Sequence, residues 1–164
     1  MTGYVKDIET AAIGNLNFRQ VLYTAQHSQL VIMCLKPGED IGMETHALDQ
    51  FFRVEEGAGE VVLNDVKSAI HAGFAILVPA GARHNIVNTG DIALKLITLY
   101  APPNHRDGIV HATRADAQKD NETFNGKLTE RRIPVTVGER SQIIPITQRP
   151  TLSLRVPSAP TSRT

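Results

Sequence analysis

Glu44 and His46 stand two residues apart in the stretch METHALDQFF, and Gln50 follows four places on. Side chains of an extended chain alternate between faces, so this even spacing puts a carboxylate, an imidazole and an amide oxygen on one side. Further along, His84 is flanked at even spacing by Ile86 and Asn88 in RHNIVN. Nitrogen and oxygen donors of these kinds can hold a divalent first-row metal if they meet about 2.0–2.2 Å from a common point and leave a position open. Spacing alone does not establish that they meet, because a histidine on a strand is commonly a packed or surface residue.

Two more histidines, His105 and His111, fall in the irregular segment APPNHRDGIVH. As loop residues they are expected to lie in solvent; placed over a barrel mouth they would supply acid–base catalysis. His27 and His71 sit by turns and read as surface residues, and Arg53 and Lys95 fall out of phase with the donors, which points to surface or interface pairing. Other chemistries find no foothold. The Gly57-Ala58-Gly59 triplet lies between two predicted strands, where it reads as a hairpin and not as a phosphate cradle. Ser28, Ser68 and Cys34 have no elbow or base implied near them, and Cys34 in LVIMCL reads as a small buried hydrophobe. A formal net charge of zero and 5% aromatic residues give no field or stacking platform for nucleic acid.

The elements that must position these residues are strands. From Phe18 to Tyr100 the chain is cut into short runs rich in Val, Ile, Leu, Phe and Thr: 20–25, 29–36, 49–57, 59–64, 75–80, 83–90 and 92–101. Gly, Pro, Asn or Asp separates them, and no long helical pattern intervenes, which indicates an all-β sandwich or barrel. Residues 1–17 read as an N-terminal arm, 18–101 as the barrel, and 102–130 as a loop with a short helix covering it. Thr113, with Asp116 three places on, is the expected N-cap of that helix. Residues 131–164 hold six arginines against Glu139 alone, whereas residues 1–130 hold 11 Lys+Arg against 16 Asp+Glu, so the last segment reads as a distinct, disordered tail. Neither a signal-peptide pattern nor an apolar run long enough to span a membrane is present, and the single cysteine suits a reducing cytoplasm.

Read from Gly38, the stretch GEDIGMETHALDQFFRVEEG resembles the first cupin motif, G-x5-H-x-H-x(3,4)-E-x6-G, with Glu44 at the first histidine and Gln50 at the glutamate. His46 and Gly57 match it directly, and Gly73, Pro79, Gly81, His84 and Asn88 meet the second motif, G-x5-P-x-G-x2-H-x3-N, in full. The segment PPNHRDGIVHATRADA is similar to the end of small single-domain bacterial cupins of the mannose-6-phosphate-isomerase-like kind. The resemblance implies a double-stranded β-helix barrel, a divalent ion (Mn, Fe, Ni, Co or Zn) held by Glu44, His46, Gln50 and His84, and a homodimer formed through strands around 18–25. The donor set keeps one carboxylate, moved to an earlier position, so its charge matches that of three histidines and one glutamate. Phe52, Val54, Ile86 and Leu96 are expected to line the barrel, with Pro79 and Gly81 as the turn that places His84.

The activity this implies is metal-dependent chemistry on a small oxygenated substrate such as a sugar, sugar phosphate or keto acid, of isomerase or tautomerase type. His105 and His111 are then the proton carriers. A non-catalytic module binding a metal or a small molecule, and an iron-dependent dioxygenase, are the alternatives.

Overall fold

The computed structural model describes residues 2–130, so the tail expected at 131–164 lies outside the described residues. In chain order the elements are α1 (Ile8–Gly14), β1 (Arg19–Thr24), β2 (Gln29–Leu35), β3 (Glu44–Thr45), β4 (Asp49–Glu56) and β5 (Ala58–Leu63). They continue with β6 (Val66–His71), β7 (Ala75–Val78), β8 (Arg83–Val87), β9 (Leu94–Ala101), β10 (Val110–His111) and α2 (Arg114–Lys119). The strands form two antiparallel sheets, one in the order β10-β1-β2-β9-β4-β7 and one in the order β3-β8-β5-β6. The fold is therefore mostly β, with a short helix at the C-terminal end of the described chain.

Alternation along the strands builds the core between the sheets. Val31, Met33 and Leu35 of β2, Phe52 and Val54 of β4, Leu94 and Leu96 of β9, and Val61 and Ile86 from the smaller sheet are all buried in one cluster. The four expected lining residues, Phe52, Val54, Ile86 and Leu96, are fully buried. Burying each such side chain contributes about 1.5–3 kcal/mol.

Four features depart from the sequence reading. The Gly57–Gly59 triplet is no hairpin: β4 and β5 belong to different sheets, and the triplet is the corner between them. A Cβ on Gly57 would stand 2.6 Å from the Ala93 carbonyl oxygen, and one on Gly59 2.3 Å from that of Val87, so the crossing needs glycine for close backbone approach. The real hairpin joins β5 to β6 through Asn64 and Asp65, both at positive φ (45° and 68°), as a two-residue turn with the strands' own twist requires. The run 66–71 was not expected as a strand, because an edge strand with only Ile70 buried shows no apolar alternation.

The third and fourth departures belong together. Within the segment expected as an arm, Asp7 caps α1 by accepting from the Thr10 N–H at 3.1 Å. Ala12 of that helix packs on Ile32 and Ile97, which point away from the barrel interior. Lys95 shares their face of the sheet and is buried there, its Nζ donating to the carbonyl of Asn15 just past the helix, where a cation suits the helix C-terminus. It was rightly out of phase with the donors, yet it is not a surface residue, because α1 covers it.

β1 is not a bare edge. Its first two residues pair with β10, the Val21 N–H donates to the Ile109 carbonyl (2.9 Å), and the Thr24 N–H donates to Thr129 Oγ1 (2.8 Å). Thr113 and Asp116 form the full reciprocal capping box at the start of α2, as the sequence implied.

Candidate metal centre

Strand register brings the donors together. Glu44 on β3 lies directly opposite His84 on β8, and residues opposite each other in an antiparallel pair project to the same face. His46 follows β3, and its carbonyl accepts from the Gly81 N–H at 2.7 Å, which ties it to the turn before β8. That turn is closed by the Ala82 N–H donating to the Pro79 carbonyl at 3.0 Å, with Gly81 at φ +83°. Gln50 arrives from the other sheet, on β4, opposite Tyr100 of β9.

One ligand atom from each of Glu44, His46 and His84 lies within 4.8 Å of the others. His46 Nε2 is 3.1 Å and His84 Nε2 3.9 Å from Glu44 Oε2, and the Gln50 Oε1 is 3.1 Å from His84 Nε2. Donors held 2.0–2.2 Å from one ion stand about 2.8–3.6 Å apart at tetrahedral or adjacent octahedral angles and up to about 4.4 Å across an octahedron, so separations of 3.1 and 3.9 Å have the span of a first-row metal site.

The hydrogen bonds test the fit further. His84 Nδ1 faces the Ala82 carbonyl at 3.2 Å, which only accepts, so the tautomer that bonds it carries the proton on Nδ1 and leaves Nε2 free to ligate. Gln50 spends its amide N–H on Thr98 Oγ1 (3.1 Å) and turns its carbonyl oxygen toward that bare nitrogen. In that tautomer two buried lone pairs face each other, an arrangement that a cation between them satisfies. Turning the amide over would let Gln50 donate to Nε2 instead, which is the arrangement expected of metal-free protein.

The charge states suit the same role. Burial lowers the basicity of His84 below the ordinary histidine value, only partly offset by its bond to Ala82 and the nearby Glu44, so the ring is a neutral ligand near pH 7. Burial pushes the Glu44 carboxyl up, but the hydrogen bond from His46 and the charge of Arg19 outweigh it and keep the group ionised.

Around the donors lies a second layer of polar groups. Tyr100, buried so that its hydroxyl is hard to ionise, has its ring against His46 (6.1 Å between centroids) on one hand and His105 (5.0 Å) on the other. His105 and His111 are both buried, contrary to the expectation for loop histidines. His105 Nδ1 donates to Glu122 Oε1 at 2.5 Å, which leaves Nε2 without a proton. Gln29 fixes the backbone here by accepting from the N–H of His105 (2.9 Å) and donating to its carbonyl (2.7 Å). His111 pairs with Asp120 at 3.3 Å and, among the described residues, makes no direct contact with the metal-type donors. Arg19, directly opposite His111, points its guanidinium at Glu44, with Nη2 3.7 Å from Oε1.

Sequence reasoning found Glu44, His46, Gln50 and His84 from strand parity and motif spacing, and all four come together. It missed Arg19, Gln29, Tyr100 and Glu122. The burial of Arg19 depends on β10 and α2, and Glu122 meets His105 across 17 residues that include both of those elements.

Two antiparallel sheets closing on a His/Glu cluster define a small β-barrel protein with a possible metal site. Residues 31–100 match the Cupin domain family, and the chain belongs to that family. It is 47% identical over 123 residues to the uncharacterized protein YrkC of Bacillus subtilis, a match that takes in 70% of this chain and 65%, just under two thirds, of YrkC. It is 37% identical to the uncharacterized protein L612 of Acanthamoeba polyphaga mimivirus over 68% of this chain and 72% of that protein. The crystal structure of BH2720 from Bacillus halodurans superposes with a TM-score of 0.71 at 44% identity, covering 71% of this chain and 94% of the other. Among the described residues no helix is long and apolar enough to cross a membrane.

Proposed function

We propose that this cupin is a metal-dependent enzyme acting on a small oxygenated substrate, of isomerase or tautomerase type, with one divalent ion held by Glu44, His46, Gln50 and His84. The observation that carries it is the convergence of ligand atoms of Glu44, His46 and His84 within 4.8 Å of one another, with the Gln50 carbonyl oxygen 3.1 Å from His84 Nε2. A bound divalent ion would supply Lewis acidity toward a carbonyl or hydroxyl oxygen. The chain's own residues supply the rest. Thr98 orients Gln50, Ala82 orients His84, and Glu44, committed as a ligand, is a poor base. His105 is the better proton acceptor, since Glu122 holds its Nδ1 proton and leaves Nε2 bare beside Tyr100. His111, paired with Asp120, takes the second place.

Mass-spectrometric metal analysis of protein purified without an affinity-metal step is expected to find about one Mn, Fe, Ni, Co or Zn ion per chain. Glu44→Ala and His84→Ala should each lower affinity by at least about 100-fold, since even outer partners of ligands are worth 10- to 100-fold. Wild-type protein that takes up no more metal than the two variants would sink the reading. Metal uptake without turnover of any sugar phosphate or keto acid would favour the binding module. The homodimer is part of the proposal and is read by size-exclusion chromatography; because β1 is already bonded along its outer side, pairing there would have to displace β10 or Thr129.

A further inference from the structure

Arg19 is a buried cation without a full set of partners. Only 7% of the residue is exposed, its Nε is buried with no hydrogen-bond partner, and its approach to Glu44, 3.7 Å, is longer than a hydrogen bond. Its other contact is with the ring of Phe18, 5.8 Å from the guanidinium carbon. A guanidinium has five N–H donors, and a buried donor left without a partner is costly. The other arginine nearby is engaged: Arg114 binds Asp40 through both its carboxylate and its carbonyl. Arg19 lines a recess of about 170 Å³ together with Glu44, Arg114 and Gln118, with Phe18 and Ile41 among its apolar walls. That volume has room for about six water-sized groups, enough for a small acid and too little for a nucleotide.

Committing Glu44 to a divalent ion withdraws part of the negative charge that pairs with Arg19 and adds positive charge beside it, while Glu122, the other carboxylate whose charge acts on Arg19, is bonded to His105. We infer that Arg19 is the anion-recognising residue of this site, and that the ligand bound beside Glu44 is a small organic acid whose carboxylate seats on the guanidinium. Planar, bidentate pairing with a carboxylate suits the guanidinium edge that lines this mainly polar recess, and Phe18 and Ile41 offer a smaller apolar contact for a short carbon skeleton. The inference deepens the metal-site reading and rests on it for the placement of the ligand.

Titration calorimetry of Mn(II)-loaded full-length protein with lactate and with its neutral counterpart lactamide tests it. Lactate is expected to bind about 10- to 100-fold more tightly than lactamide, and Arg19→Met and Arg19→Lys should bring lactate down to the lactamide level. Without ligand, Arg19→Met also removes the ion-pair partner of Glu44, so a lower unfolding midpoint is expected in either case and the lactate-to-lactamide ratio decides. A purely structural arginine would leave lactate binding unchanged in whichever variant folds. Equal binding of lactate and lactamide by wild-type protein would also overturn the inference. If Mn(II) is not taken up, the metal reading fails by itself, and the same comparison on metal-free protein decides the role of Arg19.

Discussion

The two ends of the barrel are built by the same strands and are equally dry, yet they differ in kind. Along β4 the inward side chains run Gln50, Phe52, Val54; beside them on β9 run Tyr100, Thr98, Leu96, and all six are at most 1% exposed. At one end carbon packs on carbon. At the other, most buried polar groups have a partner, Gln50 with Thr98, Gln29 with His105 and His105 with Glu122, and the exceptions, Arg19 Nε and His111 Nδ1, lie at this end too. Burial therefore does not mark the functional end. The density of satisfied donors and acceptors does, because such groups are costly in a core unless each is paired.

Breaking the apolar end should cost most. Phe52→Ala removes a ring packed at 0% exposure and is expected to destabilise by about 3–5 kcal/mol in urea unfolding, with metal stoichiometry unchanged in the folded fraction. A stability loss under about 1 kcal/mol would mean the two ends do not divide the work this way.

The polar end should instead reveal itself through pH. Burial holds both His84 and His105 below the ordinary histidine value of 6.5, so between that value and their lower folded values the unfolded chain binds protons that the fold does not. Stability is then complete above about pH 6.5 and drains as pH falls through that window. Glu44 and Glu122, both held below the ordinary 4.5 by their histidine partners despite burial, add a further loss as pH falls below that value. In metal-free protein the urea midpoint should fall from about pH 7 to pH 5. His105→Phe should flatten that slope, whereas Phe52→Ala should lower the whole curve in parallel. A midpoint independent of pH over this range would contradict the assignment.

The smallest stability change is expected from making one end resemble the other. Gln50→Leu fills a similar volume without polar atoms and should change unfolding free energy by less than about 1.5 kcal/mol. Metal affinity, measured by titration, should nevertheless fall about tenfold or more with the loss of a donor. Unchanged affinity would remove Gln50 from the donor set and leave Glu44, His46 and His84.

Much of this contrast is legible in the chain. The even spacing of Glu44, His46 and Gln50 and the alternation of Phe52 and Val54 come from one rule, the two-residue period of a strand, which needs no knowledge of neighbours. Thr113 and Asp116 read correctly because a capping box is closed within four residues. The strand 66–71 failed to read because an exposed edge has no reason to alternate, and Lys95 was misplaced because its cover, α1, comes from 80 residues away.

By itself, then, the sequence determined most strands of the barrel, though not β3, β6 or β10, the face each donor takes and the turn at Pro79–Gly81, since all of these follow from local backbone geometry. Tertiary structure alone decided that Arg19 is buried beside Glu44, that Glu122 holds His105, and that Tyr100 lies between two histidine rings. Those contacts join segments far apart in the chain, where no local period can signal them, and they exist only once the sheets have closed.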